Sequence, residues 1–251
     1  KGLSMKRFFF FVLPALQAFG QPLQLDMDVF ATRRAEFTRQ LAPNSVAIFL
    51  CKPEYIRNGD VEYDYRQESS FYYLSGFEEP ESMLLLNPSA EKNKYIMFVR
   101  MRNPGAETWQ GARAGVDGAM ATFKADTALV ISDFRQSAPA LLPKAGTLYY
   151  SFGINPKIDE MIRGMFLEGQ NGDNWSIKDP AQMLAEMRLI KNEGDWKMGL
   201  QKAIDISAQA HIEAFKAIKP GLYEYEVQAA FEYVYRKNGS PRNAYPCIVG
   251  S

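Results

Sequence analysis

Between Asp28 and Leu41 the apolar residues Phe30, Phe37 and Leu41 fall on one face of a helix, and Pro43-Asn44 then stop it. The run Ser45-Val46-Ala47-Ile48-Phe49-Leu50-Cys51 has no polar residue at helical spacing, the pattern of a strand buried on both faces. Two further apolar runs, Ser82 to Leu86 and Lys94 to Val99, flank the breakers Asn87-Pro88-Ser89 and are expected to pair as a hairpin. A strand at Ala128 to Ile131, a helix at Asp133 to Leu142, a strand at Thr147 to Phe152 and a helix at Pro156 to Met165 then alternate, which predicts an α/β domain.

The alternation breaks between Gly164 and Pro180. Gly169, Asn171, Gly172, Asp173 and Asn174 read there as an exposed connection, and a domain boundary is expected near Lys178 to Ala181, giving domains at 21–179 and 180–251. Beyond it Trp196, Leu200, Ile204, Ala208, Ile212 and Phe215 form a helical apolar stripe that ends at Lys219-Pro220-Gly221. A second helix is expected from Glu224, with Val227, Ala230, Phe231 and Val234 as its stripe and Asn238-Gly239 as its stop. Two helices and an incipient strand from Ala244 to Ser251 do not enclose a core, so this part reads as the truncated start of a second domain.

Composition adds mainly exclusions. With 47% hydrophobic residues among 251, the chain can bury a sizeable core. Lys plus Arg and Asp plus Glu both total 29, so no overall field draws the protein to nucleic acid or to an anionic membrane. Met5-Lys6-Arg7 followed by the apolar run Phe8 to Leu16 and then Gln17-Ala18-Phe19-Gly20 predicts a signal peptide at 1–20, cleaved before Gln21, and hence an exported, periplasmic or secreted protein. His211 is the sole histidine and lies beside Ile212 and Phe215, as a helix-packing residue would. Cys51 and Cys247 read as separate thiols, and no phosphate loop, Gly-x-Ser-x-Gly elbow, His-Glu-x-x-His or Cys-x-x-Cys is present. Glu78-Glu79-Pro80-Glu81 reads as a solvated corner before the Ser82 strand.

One segment is more specific. Asp64-Tyr65-Arg66-Gln67-Glu68-Ser69-Ser70-Phe71-Tyr72-Tyr73-Leu74-Ser75-Gly76-Phe77-Glu78-Glu79-Pro80-Glu81 closely resembles the signature of the aminopeptidase P N-terminal domain. Glu107-Thr108-Trp109, Glu186-Met187-Arg188-Leu189-Ile190-Lys191 and Tyr245 with Ile248-Val249-Gly250-Ser251 follow in the family's order. The resemblance, spanning about Phe30 to Ser251, implies a creatinase/aminopeptidase P-type N-terminal domain of mixed sheet and flanking helices, then a truncated pita-bread catalytic domain. It implies removal of the N-terminal residue that precedes proline in peptides, using two divalent metals, usually manganese (Mn2+), and a bridging hydroxide. The family's five metal ligands, two Asp, one His and two Glu, belong after Ser251, so no metal ligand is expected in this chain. The family also implies a homo-oligomer in which the N-terminal domain of one subunit walls a neighbour's active site. Trp109 and Asp60 match such wall positions, the indole packing on the substrate proline and the carboxylate receiving the free amino terminus. Tyr245 matches a catalytic-site tyrosine whose hydroxyl meets a transition-state oxygen. Glu168-Gly169-Gln170-Asn171 does not match the family's arginine-containing loop. Arg66, Tyr65 and Phe71 to Leu74 are expected to form a buried ion pair and an aromatic core. Two alternatives stay open: a prolidase of the same fold acting on dipeptides, and a non-catalytic N-domain used for oligomerisation or peptide binding.

Overall fold

The computed structural model describes residues 26–167 and 174–250. The predicted signal peptide at 1–20 and the Gly-rich stretch 168–173 lie outside the described residues. The chain divides into two compact units, one of Leu25–Ile190 and one containing Lys191–Ser251.

In chain order the first unit comprises α1 (Met27–Arg39), β1 (Ser45–Leu50), β2 (Ile56–Asn58), β3 (Val61–Glu62), α2 (Ser69–Ser75), β4 (Met83–Leu86) and β5 (Tyr95–Val99). It continues with α3 (Pro104–Gln110), α4 (Gly115–Ala121), β6 (Thr127–Val130), α5 (Phe134–Leu141), β7 (Gly146–Tyr149), α6 (Pro156–Phe166), β8 (Trp175–Lys178) and α7 (Ala181–Leu189). Six strands make one mixed sheet in the order β6-β5-β4-β1-β7-β8. The expected hairpin is present: β4 pairs antiparallel with β5, Met83 opposite Phe98 and Leu86 opposite Tyr95. β1 pairs antiparallel with β4 and parallel with β7, and β5–β6 and β7–β8 are parallel.

All six residues of β1 are buried. Because successive side chains of a strand point to opposite faces, this one strand feeds two cores. Ala47 and Phe49, with Cys51 just beyond the strand, join Phe37, Phe71, Leu74, Phe77, Leu84 and Leu184 on one face. Val46, Ile48 and Leu50 join Leu85, Phe98, Phe134, Leu148, Ile162 and Phe166 on the other. The helix Ala181–Leu189 thus packs its Leu184 into the first unit, although the sequence pattern assigned it to the second domain.

The signature segment builds a connector between β1 and β4. Glu68 caps α2, its carboxylate accepting from Phe71 N at 2.7 Å. Gly76 closes the helix at φ 68°, and a Cβ there would stand 2.7 Å from the Phe30 ring, so only glycine lets α2 end against α1. The last carbonyls at that end are met by buried arginines of α1: Arg33 Nη1 donates to Tyr73 O at 3.2 Å and Arg34 Nη1 to Leu74 O at 2.8 Å. Arg34 also lies 3.8 Å over the Tyr95 ring, and burial pushes its pKa down while Tyr95 and Asp126 hold it up. The buried arginine chemistry therefore comes from α1. Arg66, expected in a buried ion pair, is exposed and donates to Ser69 Oγ; Phe71 and Leu74 are core residues as expected.

At the centre of the connector is Gln67. Its Oε1 accepts from Lys52 N at 3.2 Å and Glu68 N at 2.8 Å and lies 3.0 Å from the Tyr65 hydroxyl, while Nε2 donates to Phe77 O at 3.3 Å and Glu79 O at 3.1 Å. One buried amide thereby satisfies backbone groups on both sides of α2 that no strand reaches.

A second side chain organises the segment after β5. Glu107, in the first turn of α3, accepts from Arg102 Nη2 at 2.7 Å, Arg102 Nε at 3.3 Å and Asn103 N at 2.8 Å. The Arg102 guanidinium and the Asn103 and Arg113 backbone N–H groups hold its carboxyl at about 2, well below the usual 4.5. Asn103 caps the same helix through Ala106 N.

In the second unit a π-helical turn at Asp195–Leu200 leads into α8 (Gln201–Ala217), which packs on α9 (Glu224–Lys237). The buried residues of that pair are Ala210, Ala214, Val227 and Val234. The strongest apolar stripe in the sequence is not the packed face: Trp196, Leu200, Ile204, Ile212 and Phe215 are exposed, Phe215 at 70%. His211 packs its ring edge-on to Phe231, with Nδ1 at 2.8 Å from Ser207 O, as a helix-packing histidine. No helix among the described residues is long and apolar enough to cross a membrane.

Two outcomes follow. Gln67→Met keeps the volume and strands several buried backbone groups, so urea unfolding followed by circular dichroism should show a loss of about 3 kcal/mol; a loss within experimental error would mean that the amide is dispensable. For Glu107 the folded pKa is depressed, so the unfolded chain takes up the proton first and the contribution is complete above pH 4.5. The stability difference between the parent chain and Glu107→Gln, small because the Arg102 partner is open to solvent, should therefore shrink as pH falls from 4.5 toward about 2, read from denaturant midpoints at each pH.

Candidate functional site

The three residues singled out from the sequence stand on three different exposed elements. Asp60 follows Gly59 at the tip of the β2–β3 hairpin, a two-stranded ribbon whose residues are exposed throughout. Gly59 supplies the φ of 58° that the turn requires. Trp109 is on α3 and is 89% exposed. Tyr245 belongs to the second unit, in the segment after α9, and is 73% exposed. Among the described residues Asp60 and Trp109 share no hydrogen bond.

Neither Asp60 nor Trp109 lines either of two depressions in the surface. One depression of about 320 Å³ lies between the β4–β5 turn and the end of α5, near Asn87 and Leu141. Another of about 220 Å³ lies by Leu50, Glu68 and Ser151. Tyr55, Ile56, Val61 and Tyr63 around the hairpin and Met101 ahead of α3 are exposed as well.

Behind the hairpin and α3 lies a charged network that sequence reading missed. Glu79 Oε1 accepts from Ala114 N at 2.6 Å, and its Oε2 is 3.7 Å from Arg100 Nη2. Glu79 is therefore not part of a solvated corner, whereas Glu78 and Glu81 are exposed as expected. Arg113 donates to Met101 O at 3.3 Å and Gln110 Oε1 at 2.8 Å, joining the two ends of the α3 segment. Burial, then the neighbouring Glu62, raises the Glu54 pKa, and Arg100 and Arg113 oppose the rise. Burial also raises the Tyr65 hydroxyl beside Cys51 far above the ordinary phenol value, so it acts only as a neutral hydrogen-bonding group. The pairing of Arg102 with Glu107, five residues apart across a helix start, has no periodic signature, and the Glu79–Arg100 contact is long-range; neither was legible without the fold.

Among the described residues no three His, Cys, Asp or Glu side chains come together as a metal site requires. The side chains described here do not fit the two-metal centre that the resemblance implies, and no chemical step is assigned to it. Cys51 and Cys247 are free thiols, Cys51 buried, its pKa raised by burial.

Comparison with known proteins follows the same division. Residues 30–149 match the family model of the aminopeptidase P N-terminal domain, and residues 198–251 match that of metallopeptidase family M24. Over 235 residues the chain is 32% identical to the Xaa-Pro aminopeptidase of Escherichia coli K12, covering 91% of this chain and 53% of that one. It is 33% identical to the Xaa-Pro aminopeptidase of Haemophilus influenzae, covering 90% of this chain and 51% of the relative. The structure of Pseudomonas aeruginosa aminopeptidase PepP superimposes with a TM-score of 0.83 at 36% identity, over 89% of this chain and 52% of that protein. Proline aminopeptidase P II from Yersinia pestis gives 0.80 at 30% identity, over 88% and 52%. The chain thus spans about half the length of the curated relatives it matches. A mixed sheet with helices on both faces, the connector built on Gln67 and these matches along nearly the whole described length lead to one conclusion: the chain belongs to the aminopeptidase P family, carrying its N-terminal domain and the start of its metallopeptidase domain.

Proposed function

We propose that this chain is the amino-terminal half of an exported Xaa-Pro aminopeptidase, a metal-dependent hydrolase that releases the N-terminal residue preceding proline. The observation that carries the reading is the order of the two matches: an aminopeptidase P N-terminal domain at 30–149, then a metallopeptidase M24 segment at 198–251. The second unit adds physical support. Ile204, Ile212 and Phe215 of α8 are exposed and need an apolar partner, the condition expected of a domain's opening helices before the rest of that domain packs on them. The metal ligands belong to that remainder, with two Mn2+ as the proposed ions.

Within this reading Trp109 and Asp60 contribute to one wall of a substrate cleft, completed by the metallopeptidase domain of another subunit in a homo-oligomer. Trp109 offers a flat apolar face to the proline ring, and Asp60 an exposed carboxylate to the peptide's ammonium terminus. Tyr245, exposed in the opening segment of the metallopeptidase domain, is the proposed hydrogen-bond donor to the oxygen that gains charge during hydrolysis.

Tripeptides and longer peptides with proline in second place should be cleaved by the protein that joins this chain to the rest of an M24 domain, in the presence of Mn2+ and not after chelation. Hydrolysis confined to Xaa-Pro dipeptides would identify a prolidase instead, and no hydrolysis of either would overturn the enzymatic reading. Export makes a separate prediction: mass spectrometry of protein recovered outside the cytoplasm should find Gln21 as the first residue, and an intact leader would refute it.

A further inference from the structure

The helix that carries Trp109 has little of its own to hold it in place. α3 is seven residues long and none of them is a core residue, so neither helix propagation nor core packing fixes its direction. Its direction is set through Glu107. Residues two apart on a helix point about 200° apart, so the side of α3 that turns Glu107 inward turns Trp109 outward. The two residues show this division: the Glu107 side chain is 9% exposed, whereas Trp109 as a whole residue is 89% exposed.

Glu107 is in turn tied to the core through a chain of close contacts. Its two carboxylate oxygens take the Arg102 fork, and Asn103 N adds a third bond. The stem of Arg102 lies against Gly115 at the start of α4, where a Cβ would be 2.6 Å from Arg102 Cγ and φ is 63°. Ala119 of α4 is fully buried in the sheet core. Across the other end of α3, Arg113 links Gln110 to the Met101 carbonyl.

Magnitudes separate a geometric role from a stabilising one. The Arg102 side chain is 62% exposed, and ion pairs with so open a partner add little to global stability. A bidentate pair does fix orientation, because two parallel N–H···O bonds leave the carboxylate one favourable direction. We propose that the Arg102–Glu107 fork is a positioning device for Trp109, so that Glu107 governs peptide affinity without touching the peptide. The inference rests on the reading of Trp109 as a wall of the proline subsite.

A double-mutant cycle on the protein containing the complete metallopeptidase domain tests it, with KM and kcat measured on a tripeptide with proline second. Trp109→Ala should raise KM about tenfold, the size of one lost aromatic contact, and leave kcat within about twofold. Glu107→Gln, which keeps the shape and removes the charge, should raise KM by a similar factor, and in the Trp109→Ala background it should add nothing. A purely structural role would lower the melting temperature and leave KM unchanged. An unchanged KM in Glu107→Gln, or effects that multiply in the double variant, would overturn the positioning role while leaving Trp109 its subsite. An unchanged KM in Trp109→Ala would remove the subsite reading and this inference with it. Should Glu107→Gln fail to fold, Arg102→Lys, which keeps the cation and loses the fork, carries the same expectations and the same refutations.

Discussion

A strand buried on both faces and paired on both edges has no free surface, and β1 is such a strand. It requires helices above and below, so one hexapeptide commits the first unit to three layers. It also creates a polar problem at its exit, because the chain must leave the sheet at Lys52 and return at β4 without leaving backbone groups unpaired. The Gln67 amide solves that problem, and α1 contributes two guanidinium groups to the carbonyls at the end of α2. The signature segment is thus specific because it closes a junction, and its residues identify the family through architecture rather than chemistry.

Which parts of this fold were legible in advance follows from how local each determinant is. β1, the β4–β5 hairpin, α1, α5, α6, α8 and α9 carry their own periodicity or breakers, and the structure has them where the pattern put them. α2, α3, α4 and the β2–β3 ribbon were missed: each helix or strand among them is at most seven residues long, too short for periodicity. The α8 stripe shows a different failure. Its pattern correctly marked a helix with an apolar side, but the side packed on α9 is the small-residue face of Ala210 and Ala214, since close approach favours alanine and leaves the larger residues outward.

The candidate site repeats this contrast. Trp109, Asp60 and Tyr245 came from resemblance, and all three are exposed. What sets Trp109 in place, Glu107 with Arg102 and Gly115, was invisible in sequence because it depends on a close approach that only coordinates reveal. An exposed side chain on a short helix needs a rigid base, and here the base is electrostatic rather than apolar.

Cys51 sits where β1 meets the connector, donating its N–H to Ser82 O while its sulfur accepts from Ser82 N. The thiol has taken the place of a ladder carbonyl, and it is shielded by the same junction that Gln67 closes. Alkylating reagents need a thiolate with open access, and the folded junction denies both. The rate of its modification therefore counts openings of the sheet's central edge, giving the domain an internal clock for partial unfolding that no engineered label has to supply.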